Sequence, residues 1–429
     1  MKNHKKNRYR ELKSFLILWG TQSLSQLGSS MTAFALTLWL YEKTGSALQT
    51  ALLSICSYAP YVVMSIFAGA LSDRWDKKRT MLACDTAAAC CTVLIFVLLK
   101  GNWLMPWHLY VLNAVNGLMN TVQQPAGDVA MTLIVPKEHY QKTSGMRSFS
   151  QSLITILNPV FATALFSLLG MDAVIAADLG SFVIAFGALL FWVEIPKTGN
   201  TKNKEKESLF ASAKTGLVFL RKNGLIFTLI LFLAGVNLVA SAFDAVLPAY
   251  VLSSPNGGEM VLGMVTSTAG IATLIGSVLV TWMKRPKNRV RVIYVTMLIS
   301  LSIENFMLAF TRVPVLWCLG QLVGWLLVPV MSANLDVILR SSIPVELQGR
   351  VYSCRNTFQF FTIPVGFFLG GFLVDAVCEP LMAGAAPGGM LETLFGSGAA
   401  MVMFLLGVLG TAICLIFGRI LKNYHYEEA

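Results

Sequence analysis

The sequence predicts an all-α membrane protein with twelve transmembrane helices in two pseudo-symmetric six-helix halves. Three observations lead to this prediction. The 429 residues are 55% hydrophobic and only 13% charged, whereas a soluble domain carries about 25% charged residues. Twelve apolar segments recur along the chain, each near the roughly 20 residues that cross a bilayer. The basic residues are concentrated in alternate loops between those segments, as they are in membrane proteins.

The apolar segments follow one another in two sets of six. The first starts after a basic N-terminus and ends near Tyr41. It is longer than the apolar part of a cleaved signal peptide, so we expect it to be the first transmembrane helix. The twelve expected spans are residues 15–41, 47–71, 80–99, 104–126, 148–169, 173–195, 224–251, 260–283, 290–311, 314–338, 356–376 and 397–421.

Loop charge predicts the orientation of the chain. If the N-terminus is cytoplasmic, all but three of the 33 Lys and Arg residues fall on the cytoplasmic side, the exceptions being Lys43, Lys100 and Arg312. Cytoplasmic loops carry the excess of basic residues, and one missed span would scramble this alternation. We therefore expect a multi-pass protein of the cell (plasma) membrane with both termini in the cytoplasm.

The longest cytoplasmic connection divides the chain into its predicted parts. We expect an N-terminal six-helix half at residues 1–195, a cytoplasmic linker at 196–222 and a C-terminal six-helix half at 223–429. The centre of the linker, TGNTKNKEKES, is polar and lacks apolar periodicity, which is typical of a flexible connection. Its end, SLFASAKTGLVFLRKN, has the pattern of an amphipathic helix on a membrane surface.

One stretch of the first half recurs in the second. Asp128–Gln151 reads DVAMTLIVPKEHYQKTSGMRSFSQ, and Asp336–Gln359 reads DVILRSSIPVELQGRVYSCRNTFQ. The two share six identities at an offset of 208 residues, close to half the chain, which indicates two similar halves. Both stretches are expected at the cytoplasmic side. Their charged residues are predicted to form gate salt bridges: Asp128, Glu138 and Arg147 in the first stretch, and Asp336, Glu346, Arg350 and Arg355 in the second.

The loop after the second span carries a specific motif, GALSDRWDKKRTM, at Gly69–Met81. Here the chain resembles the major facilitator superfamily, whose pattern in this loop is Gly-x-x-x-Asp-Arg-x-Gly-Arg-Lys/Arg. Asp76 stands where the pattern prefers glycine, as it does in the drug-exporter branch. The glycine allows close helix approach, and the resemblance implies that the aspartate locks the cytoplasmic gate. The matching residues are Gly69, Asp73, Arg74, Lys77 and Lys78.

Three further phrases narrow the resemblance. YEKTGSALQ after the first span, PAGDVAMTLIVPKE after the fourth and IPVELQGRVYS after the tenth look like the macrolide-efflux and enterobactin-exporter branch. The resemblance implies a secondary active transporter that exports hydrophobic or amphiphilic small molecules by alternating access. It also implies the twelve-helix major facilitator fold for essentially the whole chain.

The energy source is expected to be a proton gradient, although two features of proton antiporters are missing. The fourth span has Asn113 and Asn116 where many antiporters carry an arginine, and the fifth keeps Pro159 without the neighbouring glycines. Asp244 and Glu304 are the candidate ion-coupling residues, since acids inside spans are costly and often functional. Asp85 and Asp178 are expected to be interfacial residues instead.

Neutral polar residues on spans 1, 4, 7 and 10 form the candidate substrate cavity, because the resemblance places these spans around it. Amides beside an aromatic side chain suit a bulky amphiphilic substrate, although hydrogen bonding between helices explains such residues equally well. The candidates are Gln22, Gln26, Asn113, Asn116, Asn120, Asn237, Gln321 and Trp325.

Other functional classes receive little support from the sequence. It contains no GxxxxGKS, HExxH or GxSxG motif, and its eight cysteines fall mostly in apolar runs, as small buried side chains do. We therefore expect no enzyme activity, no cofactor, no metal site and no nucleic-acid partner. The expected partners are a small amphiphilic substrate, a proton or other coupling ion and the lipid bilayer, with the protein a monomer. The alternatives are an exporter of siderophores or other metabolites, and a non-transporting membrane receptor or scaffold.

Overall fold

The structure is a computed structural model. It describes residues 2–136, 139–196, 209–284, 286–384 and 389–424. Within these ranges the side chains are described except at 2–12, 65–74, 141–142, 209–214, 345–346, 348–350 and 353.

Six helices make up the first part of the chain. They are α1 (Lys2–Thr44), α2 (Ala47–Arg74), α3 (Lys77–Lys100), α4 (Pro106–Ile134), α5 (Tyr140–Leu169) and α6 (Met171–Phe191). Glycines with positive φ angles follow two of these helices. Gly45 follows α1 with a φ of 61°, and Gly170 separates α5 from α6 with a φ of 78°. Both angles favour glycine because it lacks a Cβ.

Asp76 explains one departure of the loop motif from its family pattern. Its Oδ1 accepts a hydrogen bond from the backbone N–H of Arg79 at 2.9 Å, so it is the N-cap of α3. An aspartate N-cap stabilises a helix by about 0.5–2 kcal/mol relative to alanine. The residue that replaces the expected glycine therefore starts the next helix.

The remaining helices follow the predicted linker. They are α7 (Leu209–Lys222), α8 (Gly224–Ser253), α9 (Glu259–Trp282), α10 (Arg289–Phe310), α11 (Pro314–Leu326), α12 (Val328–Ser342), α13 (Val345–Phe360), α14 (Thr362–Phe372), a π-helical turn (Leu373–Cys378), α15 (Glu379–Ala383), α16 (Met390–Leu394) and α17 (Gly398–Leu421). The helix α7 coincides with the amphipathic segment predicted at the end of the linker.

Ten stretches of described helix are long and apolar enough to cross a bilayer, and they coincide with ten of the predicted spans. The other two predicted spans, 15–41 and 104–126, fall on α1 and α4, which have 43 and 29 residues. The described residues contain no strand. The predicted all-α fold with twelve transmembrane helices is therefore confirmed.

Two predicted spans are interrupted rather than continuous. The tenth is divided between α11 and α12 at Leu327, two residues before Pro329. Proline has no N–H to donate and its ring clashes with the preceding turn, which accounts for the break. The eleventh is divided between α13 and α14 at Phe361, three residues before Pro364. Apolar composition alone did not predict either break.

The chain forms two compact units. The first contains Met1–Trp39 and Cys56–Lys206, and the second contains Leu40–Ile55 and Glu207–Ala429. The end of α1 and the first turns of α2 thus group with the second unit, although they belong to the first six helices. The predicted boundaries at 195 and 222 remain predictions, since residues 197–208 lie outside the described chain.

The first unit has an apolar core made by α1, α3, α4 and α6. Its fully or almost fully buried members are Phe15, Leu18, Met81, Ala126, Ala130, Ile134, Val135, Leu189 and Val193. Other large apolar side chains of the same helices face outward, such as Val183 at 65% exposure and Phe191 at 78%. Such a surface is suited to contact with lipid, because exposing this much apolar surface to water is unfavourable.

Close helix contacts in the second unit depend on glycines. A Cβ at Gly366 would lie 2.4 Å from the carbonyl oxygen of Leu238, and a Cβ at Gly370 would lie 2.4 Å from that of Ala242. Both contacts join α14 to α8. Small residues let membrane helices approach backbone to backbone in this way.

A glycine substitution in α4 tests this type of packing. A Cβ at Gly117 would lie 2.1 Å from the carbonyl oxygen of Ser57 in α2. We expect Gly117→Ala to reduce stability by roughly 1–3 kcal/mol, because overpacked cores are destabilised by that amount. Thermal unfolding in detergent measures it. The matched control is Gly187→Ala in α6, where nothing lies within 4 Å of the added Cβ, and equal Tm values for the two variants would contradict the packing argument.

Candidate functional site

Asp85 is a buried carboxylate held by two amides. It lies in α3 with 9% exposure. Its Oδ2 accepts a hydrogen bond from Gln22 Nε2 at 3.1 Å, and its Oδ1 accepts one from Gln123 Nε2 at 2.5 Å. These bonds connect α3 to α1 and α4. The interfacial position of Asp85 remains a prediction, and the predicted cavity residue Gln22 binds Asp85 instead of presenting a free amide.

Asp178 is more deeply buried and is held by hydroxyl groups. It lies in α6 with 3% exposure. Ser29 donates to its Oδ1 at 2.9 Å, while Thr32 and Thr92 donate to its Oδ2 at 3.0 and 3.2 Å. A Cβ at Gly28 would lie 2.4 Å from the hydroxyl of Ser181, so this glycine brings α1 against α6. The interfacial position of Asp178 likewise remains a prediction.

The two predicted ion-coupling residues meet in the second unit. Glu304 in α10 has 5% exposure, and it interacts electrostatically with Asp244 of α8. Trp325 also contributes to the electrostatic environment of Glu304. Its Oε1 is buried and has no hydrogen-bond partner among the described residues. The Asp244 side chain has exposed surface, although its carboxyl group is densely surrounded by protein atoms.

Gly324 makes room for this pair. A Cβ at residue 324 would lie 2.4 Å from Oε2 and 2.7 Å from Oε1 of Glu304. Ser300, one turn before Glu304, donates to the carbonyl oxygen of Gly324 at 2.5 Å. The contact between α10 and α11 is thus made around the Glu304 carboxyl group, next to Trp325.

The repeated stretches each place an arginine in the electrostatic field of the repeat's aspartate. In the first unit, Arg147 forms a salt bridge with Asp128. In the second unit, Arg355 interacts electrostatically with Asp336 and donates its Nε–H to Gln359 at 3.0 Å. The aspartate and arginine of each pair are 19 residues apart. The other predicted gate side chains, Glu138, Glu346, Arg350, Gly69, Asp73 and Arg74, lie outside the described side chains.

The last residue of each repeat contacts the first helix of its own half. Gln26 of α1 donates to Gln151 of α5 at 3.2 Å. Asn237 of α8 donates to the carbonyl oxygen of Gln359 in α13 at 3.0 Å. Both amides were candidates for the cavity, and in this structure they connect helices. The repeat therefore has the same structural neighbours in both halves.

The two lysines of the loop motif make backbone contacts. Lys78 donates to the carbonyl oxygens of Leu190 and Val193 at 3.0 and 2.8 Å, at the end of α6. A cation at a helix C-terminus is favourable because the helix dipole is negative there. Lys77 has 5% exposure and donates to the carbonyl oxygen of Trp75 at 3.2 Å.

The remaining cavity candidates differ in accessibility. Asn120 is exposed, whereas Gln321 has 1% exposure and its Oε1 has no partner among the described residues. Asn113 donates to the carbonyl oxygen of Leu109 at 2.9 Å, and Asn116 has a buried Oδ1 without a described partner. Trp325 is half-buried.

Sequence reasoning missed Asp375, which caps a helix far from it in the chain. Its Oδ2 accepts hydrogen bonds from the Ser46 hydroxyl at 2.5 Å and the Leu48 N–H at 2.9 Å, and its Oδ1 accepts one from the Ala47 N–H at 3.1 Å. These are the first residues of α2, where the helix dipole favours an anion. The acid stands in the π-helical turn Leu373–Cys378, and such turns occur often at functional sites. An acid within the apolar run GGFLVDAV was the available signal.

The segment 40–55 has further contacts within the second unit. The Tyr41 hydroxyl donates to the carbonyl oxygen of Ala249 at 3.2 Å. Burial, followed by the hydrogen bond to Glu259 and its charge, raises the pKa of Glu42 to about 7. Glu42 therefore binds its proton more tightly in the folded chain than in the unfolded chain. The stability that this proton contributes is lost as pH rises through about 7.

Comparisons with known proteins agree with this architecture. The family model described as "Major Facilitator Superfamily" matches residues 18–361. Macrolide efflux protein A of Streptococcus pyogenes is 25% identical over 366 residues, which cover 85% of this chain and 90% of that protein. Multidrug efflux pump Tap of Mycolicibacterium fortuitum is 23% identical over 361 residues, 81% of this chain and 86% of that protein. The sequence resemblance to the drug-exporter branch is confirmed.

A solved structure has the same fold. The nucleoside transporter NupG, crystallised as a point mutant, aligns with a TM-score of 0.73 over 96% of this chain and 99% of that chain. The sequence identity is 12%, so the likeness is one of fold.

The Asp375 cap gives a direct prediction. We expect Asp375→Ala to lower the free energy of unfolding by roughly 1–3 kcal/mol, because two backbone N–H groups and one hydroxyl lose a charged acceptor. The control is Asp172→Ala, which removes an exposed ion pair with Lys100, a contact worth about 0–1 kcal/mol. Thermal unfolding in detergent compares them, and equal losses would show that the cap contributes nothing special.

Proposed function

This chain belongs to the Major Facilitator Superfamily, and we propose that it is a secondary active transporter exporting hydrophobic or amphiphilic small molecules of the drug or macrolide type. It works by alternating access and is driven by a proton gradient. The observation that carries the proposal is the buried carboxyl group of Glu304, which has an oxygen without a described partner and interacts electrostatically with Asp244.

The acid pair suits proton coupling for an electrostatic reason. Two nearby carboxylates inside a membrane span cannot both be charged without a large cost, because repulsion and desolvation act together. One proton shared by the pair removes that cost. The exposed Asp244 can exchange the proton with water, and the buried Glu304 can hold it. Loading and release of the proton then change the charge at the contact between α10 and α11.

Trp325 connects the acid pair to substrate binding in this proposal. Its indole contributes to the electrostatic environment of Glu304, and an aromatic face is a good surface for a large apolar ligand. A substrate that packs against the indole would shift it relative to Glu304. The exposed Asn120 and the amides Gln26, Asn113, Asn116 and Asn237 would add polar contacts, as would Gln22 and Gln321 if their present surroundings rearrange.

Alternating access requires contacts that form and break at the two membrane faces. We assign the cytoplasmic contacts to Asp128–Arg147 and Asp336–Arg355, together with the loop motif around Asp73 and the repeat acids Glu138 and Glu346. Asp375 and the start of α2 are the candidate contact at the outer face. The Asp128–Arg147 pair is an exposed charged interaction, where water can replace the lost partner at low cost.

The transporter is proposed to act in the cell membrane as a monomer with both termini in the cytoplasm. Its partners are the substrate, the coupling proton and lipid, and the proposal involves no cofactor and no enzymatic step. The linker at 196–222 joins the two halves and permits their relative movement.

Transport in inverted vesicles tests the proposal. Wild-type protein is expected to accumulate a macrolide when a pH gradient is imposed. Asp244→Asn and Glu304→Gln are expected to bind the macrolide but to lose the dependence of uptake on the gradient, because the shared proton site is removed. The control Asp172→Asn, at an exposed ion pair, is expected to transport normally.

The outcomes separate the alternatives. Gradient-driven uptake that is unchanged in both acid variants would contradict the coupling assignment. Uptake of a siderophore or another metabolite in place of the macrolide would change the substrate class and leave the mechanism. A protein that binds ligands but moves none of them in any gradient would be a receptor.

A further inference from the structure

The buried carboxylate of Asp178 is surrounded by hydroxyl groups. Three hydroxyl oxygens from two other helices converge on its carboxylate, namely Ser29, Thr32 and Thr92 at 2.9, 3.0 and 3.2 Å. The Ser181 hydroxyl, one turn further along α6, donates to the backbone carbonyl of Asp178 at 2.8 Å. Every ligand atom of this cluster is an oxygen.

No basic residue neutralises the carboxylate in the described part of the chain. Lys100, at the end of α3, forms its ion pair with Asp172 of α6. The interactions of Asp178 are those with Ser29, Thr32 and Thr92. An unpaired carboxylate buried among membrane helices is costly, so a positive charge of some kind is expected to accompany it.

Asp85 provides an informative contrast. Its carboxylate is also buried and accepts two hydrogen bonds, but both donors are amide NH2 groups, from Gln22 and Gln123. An amide nitrogen has no lone pair to offer a cation. A hydroxyl group can rotate its hydrogen away and present a lone pair. In the arrangement present, the Asp178 cluster offers hydroxyl oxygens to an ion, whereas the amides around Asp85 direct their NH2 groups at the carboxylate.

The composition and spacing of the cluster indicate which ion it fits. Hard cations prefer oxygen ligands at about 2.0–2.6 Å, and oxygens that share such an ion lie about 3 Å apart, as these do. A single carboxylate balances a single positive charge. The close spacing favours a small ion over a large one.

We propose that Asp178, Ser29, Thr32 and Thr92 form a binding site for a monovalent cation, with Na⁺ as the ion that fits. The hydroxyls come from α1 and α3, so the ion joins both helices to α6. The Ser29 side chain is exposed whereas the other three residues are buried, and Ser29 is thus the point of entry. All four residues belong to the first unit, so the site is independent of the proposed proton pair at Asp244 and Glu304.

The test measures sodium binding to the full-length chain in detergent, without substrate or a gradient. NaCl replaces choline chloride at constant ionic strength while thermal unfolding is recorded, and equilibrium binding of radioactive Na⁺ is measured in parallel. Wild-type protein is expected to bind one Na⁺ and to show a saturable rise in Tm, because a ligand stabilises the state that binds it.

Matched variants make the result specific. Asp178→Asn is expected to abolish sodium binding, and Thr92→Val is expected to weaken it at least about tenfold, a change of about 1.4 kcal/mol. Thr92→Ser keeps the hydroxyl and should retain binding, which separates coordination from packing. Asp85→Asn is the control and should bind Na⁺ as wild type does.

Three results would overturn the proposal. One is an equal rise in Tm with NaCl and choline chloride. Another is sodium binding that survives in Asp178→Asn. The third is a Tm that changes with pH but not with sodium concentration, which would mean that a proton neutralises Asp178. Because no transport is measured, these results leave the proposed export function untouched.

Discussion

A carboxylate inside a membrane bundle must be stabilised by a partner, and this constraint organises much of the chain. Four acids within the helices meet it in four ways. Asp85 uses two amides, Asp178 uses three hydroxyls, and Asp375 uses the first N–H groups of α2 with Ser46. Glu304 has a second acid and an indole beside it. The first two arrangements surround a carboxylate with neutral donors, the third places it at a helix N-terminus, and the fourth leaves an oxygen without a described partner.

The acids that lack a full set of partners are the ones to which function is assigned. Glu304 has a buried oxygen without a partner among the described residues and interacts with a second acid. Binding of a proton would remove the repulsion between the two carboxylates. Asp178 has hydroxyl oxygens around it but no basic side chain in the described chain. In the proposal, a bound cation balances its charge. The satisfied acids connect helices instead. Asp85 joins α1, α3 and α4, and Asp375 holds the start of α2.

The sequence predicted the features that depend on composition and on fixed spacing. Low charge, apolar segment length and loop charge predicted the twelve spans, because the bilayer imposes these patterns locally. The offset between the repeats predicted that Asp128–Arg147 and Asp336–Arg355 are equivalent. The first pair forms a salt bridge, and the second interacts electrostatically. The amphipathic pattern before Lys222 likewise predicted α7.

Features that depend on tertiary partners were not predictable from the sequence. Asp375 and Ser46 are 329 residues apart, and nothing in either local sequence indicates the other. Asp85 and Asp178 were expected at the interface because their distance from a helix end was known and their partners were not. Gln22 and Gln321 were assigned to a cavity from helix position alone. In the structure Gln22 binds Asp85, and Gln321 is buried.

The most direct test of this account asks whether the Asp244–Glu304 pair holds a proton. Infrared difference spectroscopy of the purified protein at neutral pH detects the carbonyl stretch of a protonated carboxyl group, and hydrogen–deuterium exchange shifts it. The account predicts such a band in wild-type protein, its loss in Glu304→Gln and its persistence in Asp85→Asn. A spectrum without the band, or a band that is unchanged in Glu304→Gln, would contradict the account.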